Sequence, residues 1–132
     1  CLSLEAGADR KDFVANSFAL AWLFRDSAEP YIIYNGEIAV GFLLLNMDGD
    51  GDGSRKICEI TRFMIDHRHH RKGYATEALH SVISYVKQNP AYELIRLSCS
   101  PNNRPAISLY ESKGFTPTGE VNYGEVIMTL KV

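Results

Sequence analysis

The sequence lacks several features that would place it in other classes of protein. It has no signal peptide and no apolar run near the roughly 20 residues that a membrane-spanning helix needs. Its 14 Lys and Arg residues are outnumbered by 16 Asp and Glu residues, so the formal net charge is −2 and no basic excess favours nucleic acid. We therefore expect a soluble protein with neither a membrane nor a nucleic-acid partner.

Cysteine is also scarce, with three residues at positions 1, 58 and 99 and no closely spaced pair. Cys58 and Cys99 lie in apolar runs, which is typical of small core residues in a reducing compartment. A catalytic cysteine is the alternative, but no histidine stands in an obvious partnering motif. The pattern favours a cytoplasmic protein.

The length of 132 residues, with 45% hydrophobic and 23% charged residues, fits one domain with a single core. Apolar spacing predicts helices in residues 12–25, 76–87 and 105–113. Strands are predicted at 31–34, 38–45, 57–65, 94–99, 115–121 and 126–130, with a polar loop at 46–56. This order predicts an α/β (α+β) fold: a mixed, mostly antiparallel central sheet flanked by helices.

Residues 67–78 join a predicted strand to a predicted helix and contain the sequence HRHHRKGYATEA. Gly73 and Ala75 keep this turn free of bulky side chains, so a ligand can approach the backbone amides at the helix start. Arg71 and Lys72 add two cations, which favour a diphosphate ligand. A tight turn with solvated charges is the alternative that these residues leave open.

A second stretch, residues 100–115, also leaves a strand and opens a helix. Together the two stretches resemble the GNAT superfamily of acetyl-CoA-dependent N-acyltransferases. Gly73-Tyr74-Ala75 matches the end of its Arg/Gln-x-x-Gly-x-Gly/Ala motif, with His70 in the first position. Asn103 through Tyr110 to Gly114-Phe115 matches its Asn…Ala-x-x-Leu-Tyr-x-x-x-Gly-Phe helix. The resemblance covers roughly residues 30–132.

The resemblance implies one GNAT domain over residues 1–132, which we expect to lack the first strand. It implies acetyl-CoA as cosubstrate, no required metal, and a homodimer as one option. The residues that it implies for cofactor binding are Phe63, Met64, Ile65, His70, Arg71, Lys72, Gly73, Tyr74, Ala75, Thr76, Asn103, Ala106, Tyr110 and Lys113.

The resemblance further implies direct attack of an amine on the thioester, with Tyr110 protonating the departing thiolate. The alternative for Tyr110 is a core aromatic residue on an amphipathic helix. Glu59 is our candidate base, directly or through a water, since the amine must lose a proton before it attacks. The alternative for Glu59 is an outward-facing strand carboxylate.

The acidic residues at 48–53, followed by Glu59, fit the EF-hand calcium-loop pattern D-x-D-x-D-G-x5-E. An EF-hand needs a helix on each side, whereas strands are predicted here, and Arg55 occupies a normally apolar position. We expect an acidic hairpin loop without metal, and a calcium-binding module is the alternative.

Residues 62–66 and 119–125 look most like bacterial spermine/spermidine acetyltransferases. The predicted substrate is therefore a polyamine or other small diamine, which the carboxylates of Glu37, Asp48, Asp50 and Glu59 would attract. Peptide or protein N-termini, amino acids and aminoglycosides are the alternative acceptors. A catalytically degenerate CoA-binding sensor domain is the non-enzymatic alternative.

Overall fold

A computed structural model describes residues 21–132, so most of the helical segment expected at 12–25 lies outside the described residues. A six-stranded sheet organises this part of the chain, in the order β1-β2-β3-β4-β6-β5. Its strands are β1 (Ala28–Asn35), β2 (Ile38–Asn46), β3 (Ile57–Ile65), β4 (Leu94–Cys99), β5 (Thr116–Asn122) and β6 (Glu125–Lys131). A 3-10 helix (His67–His69) and helix α1 (Tyr74–Lys87) follow β3, and helix α2 (Arg104–Ser112) follows β4.

The sheet is mixed as predicted, because β3 and β4 run parallel while the other neighbouring strands pair antiparallel. The parallel pair results from the crossover through α1, which returns the chain to the same end of the sheet. Gly36, at φ 62°, and Glu37 form the two-residue turn between β1 and β2, because Asn35 still pairs with Ile38.

The main core lies on the face of the sheet that the two helices cover. Helix α1 buries Leu79, Val82 and Val86, one side of a helical period, against the sheet. Cys58 and Cys99 are buried free thiols of this core, as expected from their apolar neighbours. On the opposite face Phe42, Leu44 and Met64 form a smaller cluster.

The parallel strands separate part-way along the sheet, and this gap creates the site described below. Pairing of β3 with β4 runs from Ile57 and Leu94 to Ile60 and Leu97, yet β3 continues to Ile65. Pairing of β3 with β2 also shifts register between Ile60 and Arg62. Such a bulge increases the local twist of a strand, which turns the end of β3 away from β4.

Sequence and structure agree on each predicted element within residues 31–132, with small shifts at the helix ends. Helix α1 begins two residues before the predicted start, because Gly73 is its N-cap. Helix α2 begins one residue early, after the Asn103 cap, and Gly114 follows its end at φ 97°. Across residues 21–132, every helix is too short or too polar to cross a membrane.

Candidate active site

A cavity of about 490 Å³ opens where β3 ends and the two helices begin. We call the loop over residues 66–75 the cleft loop, since it forms one wall. The residues that line this first cavity are Phe63, Met64, Ile65, His69, His70, Arg71, Lys72, Gly73, Tyr74, Ala75, Thr76, Asn103, Pro105, Ala106, Leu109 and Tyr110.

The cleft loop presents the start of α1 to this cavity. Gly73 is the N-cap at φ 82°, and no side chain caps the helix. The N–H groups in the first turn of an α-helix have no partner within the helix, and the helix dipole favours negative charge there. Since Gly73, Tyr74, Ala75 and Thr76 all line the cavity, this helix start can hold an anionic group such as a diphosphate.

The lining charges of the first cavity are of one sign. His69, His70, Arg71 and Lys72 line it, and no Asp or Glu among residues 21–132 does. Within residues 21–132, Arg71 and Lys72 make no ion pair and are exposed. The first cavity therefore suits an anionic ligand.

Two neighbouring basic residues are held in other contacts. Arg68 forms a bidentate ion pair with the buried carboxylate of Asp66, at 2.8 Å from Nε and 2.6 Å from Nη2. His70 Nε2 donates to the Ile65 carbonyl at 2.7 Å. The His70 contact ties the cleft loop to the end of β3, and the Arg68–Asp66 pair braces the loop internally.

A second cavity of about 660 Å³ lies in the gap between β3 and β4. It shares Phe63, Asn103, Ala106 and Tyr110 with the first, so the two form one cleft that meets at these residues. The other lining residues are Ile60, Thr61, Arg62, Leu97, Ser98, Cys99, Ser100, Asn102 and Glu125. Glu125 is the one carboxylate that the described residues contribute to either cavity.

Tyr110 lies at the junction of the two cavities. It is the buried residue of α2, 9% exposed, and its ring packs against Phe115 with centroids 5.8 Å apart. Helix α2 is held in register by Asn103, whose Oδ1 accepts from the Ala106 amide at 3.3 Å. Tyr110 is therefore both a core aromatic residue and a wall of the cleft.

The structure brings together all the predicted cofactor residues except Lys113, which follows α2 and lines neither cavity. Sequence reasoning missed His69, Pro105 and Leu109, although all three lie within or beside the two quoted motifs. It also missed Ser98 and Glu125, which are diagonal neighbours on β4 and β6, since Ser98 pairs with Ile127 and its Oγ donates to Glu125 Oε1 at 3.1 Å. No local pattern in a single sequence predicts that contact.

Glu59, the predicted base, lines neither cavity. Its Oε2 accepts from Arg96 Nη2 at 2.9 Å, and Arg96 also pairs with Asp50 at 3.0 Å. Burial alone would lower the pKa of Arg96, but the hydrogen bonds that Arg96 donates to Glu59 and Asp50 outweigh burial and raise it. The role of Glu59 as base stays a prediction.

The acidic loop, residues 46–56, joins two strands, and two of its carboxylates accept from its own backbone amides. Asp48 Oδ2 accepts from the Gly53 amide at 2.8 Å, and Asp52 Oδ1 accepts from the Ser54 amide at 2.9 Å. The Ser54 hydrogen bonds lower the pKa of Asp52. Across the described part of the chain, no three His, Cys, Asp or Glu residues converge as metal ligands.

Comparison with known proteins places these features in a family. The acetyltransferase (GNAT) family model matches residues 4–115. A spermine/spermidine N(1)-acetyltransferase of Bacillus subtilis is 32% identical over 100 residues, which cover 74% of this chain and 65% of that protein. The chain thus spans 65% of the length of the two curated relatives that it matches.

Solved structures show the same fold. A GNAT family acetyltransferase from Elizabethkingia anophelis with acetyl-CoA bound superposes with a TM-score of 0.70 at 16% identity, covering 86% of this chain and 82% of that one. The aminoglycoside acetyltransferase AAC(6')-Ib in complex with coenzyme A gives a TM-score of 0.69 at 26% identity, covering 83% of this chain and 69% of that one.

Proposed function

Because this chain belongs to the acetyltransferase (GNAT) family, we propose that it transfers an acetyl group from acetyl-CoA to a primary amine, and that the amine is a polyamine or small diamine. The observation that carries the proposal is the division of the cleft. A half lined by basic side chains and helix amides, without a carboxylate from residues 21–132, meets a half lined by one carboxylate, Glu125, and one arginine, Arg62. Tyr110 lies where the two halves join.

The residues of the first cavity fit CoA. The diphosphate would be held by the amides at the start of α1 and by Arg71 and Lys72. A Cβ at Gly73 would meet no protein atom within 4 Å, so glycine leaves open space beside these amides. When bound, acetyl-CoA supplies the activated acetyl thioester.

The open edge of β3 supplies a place for the pantetheine arm. Beyond Ile60 this edge is no longer paired with β4, although Phe63, Met64 and Ile65 still line the first cavity. The backbone groups of an unpaired strand edge bind an extended partner as another strand would. The Ile65 carbonyl already accepts from His70, which leaves the backbone of Phe63 for the arm, because the Met64 carbonyl faces Gly41 of β2.

Tyr110 is the proposed general acid. Its presence in the lining of both cavities supports this role, in which the hydroxyl would give its proton to the departing thiolate. Asn103 and Pro105 fix the start of α2, so the ring reaches the junction from a rigid element.

The polyamine assignment is supported by the 32% identity with the Bacillus subtilis enzyme. Aminoglycosides are the second candidate acceptors, because AAC(6')-Ib combines a similar fold with 26% identity. Both classes carry several amines, so both agree with a carboxylate in the acceptor half of the cleft.

Thiol release from acetyl-CoA, measured across spermidine, spermine, lysine, a peptide and kanamycin, tests the proposal. We expect saturable turnover with the polyamines. Tyr110→Phe keeps the ring contact with Phe115 and should lower kcat about 100-fold, the contribution of one general acid, with little change in the KM for acetyl-CoA. Tyr34→Phe, the same change at an exposed residue outside both cavities, is the matched control and should keep full activity.

Other results would redirect the proposal. Turnover with kanamycin alone would move the substrate to aminoglycosides. CoA binding without turnover on any amine would favour the sensor domain. Full activity of Tyr110→Phe would contradict the role of Tyr110 as general acid and would indicate that the thiolate departs without a proton from this residue.

Glu59 remains the proposed base, acting through water, since its carboxylate is paired with Arg96 outside the cleft. Glu59→Gln should then remove the limb of the kcat/KM profile on which the base is protonated. An unchanged pH profile together with lower stability would contradict this role and assign Glu59 to the ion pair alone.

A further inference from the structure

Among residues 21–132, the acceptor half of the cleft is lined by one carboxylate, Glu125, on β6, and by one arginine, Arg62, on β3. Glu125 is the first residue of β6, directly after the turn at Tyr123 and Gly124, and it is solvent-exposed. Ser98 Oγ donates to its Oε1 at 3.1 Å from the neighbouring strand β4. Its carboxylate is therefore oriented by a paired strand rather than carried on a free loop.

Glu125 lies apart from the point where the acyl group would be transferred. The two cavities share only Phe63, Asn103, Ala106 and Tyr110, and Glu125 belongs to the second cavity alone. An acceptor whose reacting nitrogen reaches the junction at Tyr110 would thus place another part of its length beside Glu125.

Resting on the proposed function, we propose that Glu125 is a specificity residue: it binds a second, non-reacting ammonium group of the acceptor, and Ser98 orients it. A carboxylate attracts an ammonium ion and carries no such preference for a neutral alkyl chain. The site then selects diamines and polyamines over monoamines, and it does so without touching the reacting nitrogen.

The solvent exposure of Glu125 sets the expected size of the effect. An exposed charge pair contributes modestly and is screened by salt. We expect Glu125 to change acceptor KM about tenfold at low ionic strength, which corresponds to about 1.4 kcal/mol. The effect should shrink as salt is added.

The test compares putrescine with butylamine, which share a carbon chain and differ by one ammonium group. Glu125→Gln should raise the KM for putrescine about tenfold and leave the KM for butylamine, the KM for acetyl-CoA and kcat nearly unchanged. Glu125→Asp should recover part of the putrescine KM, and Ser98→Ala should show a smaller rise. Glu120→Gln, on the same hairpin but outside both cavities, is the matched control.

Two results would overturn the inference. An equal loss of kcat on both amines, with an altered pH profile, would make Glu125 the base. Unchanged kinetics on both amines would leave it without a role. If the wild-type protein acetylates no amine, the proposed function fails, and calorimetry with spermidine in the presence of CoA still tests Glu125: weaker binding by Glu125→Gln supports the inference, and equal binding contradicts it.

Discussion

The acidic loop at 46–56 and the cleft loop at 66–75 are both rich in charged residues and contain glycine, yet they use these residues in opposite ways. The acidic loop joins two antiparallel strands, β2 and β3, and its carboxylates accept from its own amides and from Arg96. The cleft loop joins a strand to a helix, and the start of α1 together with Arg71 and Lys72 faces a cavity.

The difference shows that a short sequence pattern forms a ligand site only when the neighbouring helices and strands leave its polar groups facing a cavity. The acidic loop matches a calcium-loop sequence pattern, but it joins strands β2 and β3 instead of two helices. Its acidic residues do not converge as metal ligands among residues 21–132. The cleft loop departs from its motif at His70, yet the start of α1 still lines the cleft. Geometry rather than letter-by-letter agreement separates the two.

The largest effect expected is on CoA affinity, and two glycines provide a matched pair. Gly73 at φ 82° and Gly53 at φ 81° both leave open space for a Cβ, so alanine strains each by a similar amount, about 1–2 kcal/mol. Gly73→Ala should weaken CoA binding about tenfold or more, because the methyl group stands beside the helix amides. Gly53→Ala should leave it unchanged.

Calorimetry with CoA and thermal unfolding of both variants measure this pair. Similar losses of stability with a selective loss of CoA binding would sharpen the comparison. If Gly53→Ala weakened CoA binding as much as Gly73→Ala, the two loops would not be separate in function.

A second pair of variants replaces an arginine by methionine. One is at Arg96, which pairs with Asp50 of the acidic loop, and the other is at Arg71 in the cleft loop. Arg96→Met removes the partner of Glu59 and Asp50 and should lower the free energy of unfolding by about 1–2 kcal/mol, between the values for exposed and buried ion pairs. Arg71→Met breaks no ion pair among the described residues and should leave stability unchanged.

When CoA affinity is measured instead of stability, Arg71→Met should show the larger loss and Arg96→Met the smaller one. Arg71→Met removes a cation from the first cavity, so we expect CoA binding to weaken several-fold and to depend less on salt. Arg96→Met should bind CoA normally once folded. Weaker CoA binding by Arg96→Met at full stability would contradict a purely structural role for Arg96.

Sequence reasoning reached the loops and caps because their chemistry is local. The strand-to-helix turns in residues 67–78 and 100–115 are predicted without knowledge of the rest of the chain, and the two helices begin within two residues of the predicted starts. Pairings across strands depend on register, which no local pattern fixes. The sequence alone therefore offers Glu59 as a base with no visible partner, whereas the register places it opposite Arg96. Glu125 was missed for the same reason.

The smallest effect expected is that of calcium on the acidic loop. At 5 mM calcium, a sensor-type site with a Kd of about 10 µM would add about 4 kcal/mol to stability and raise the Tm by on the order of 10 °C. We expect about 1 °C or less, because Arg96 already pairs with Asp50 and Glu59, and backbone amides already donate to Asp48 and Asp52.

CoA at about 100 times its Kd provides the positive control in the same instrument, since it should add about 2.7 kcal/mol. A calcium shift as large as the CoA shift would make the acidic loop a second ligand site and end the contrast between the loops. A calcium-induced rise in Tm that appears only in Arg96→Met would instead show that this arginine occupies the position of a bound cation. Its removal releases the carboxylates of Asp50 and Glu59, and a divalent ion can neutralise their negative charge.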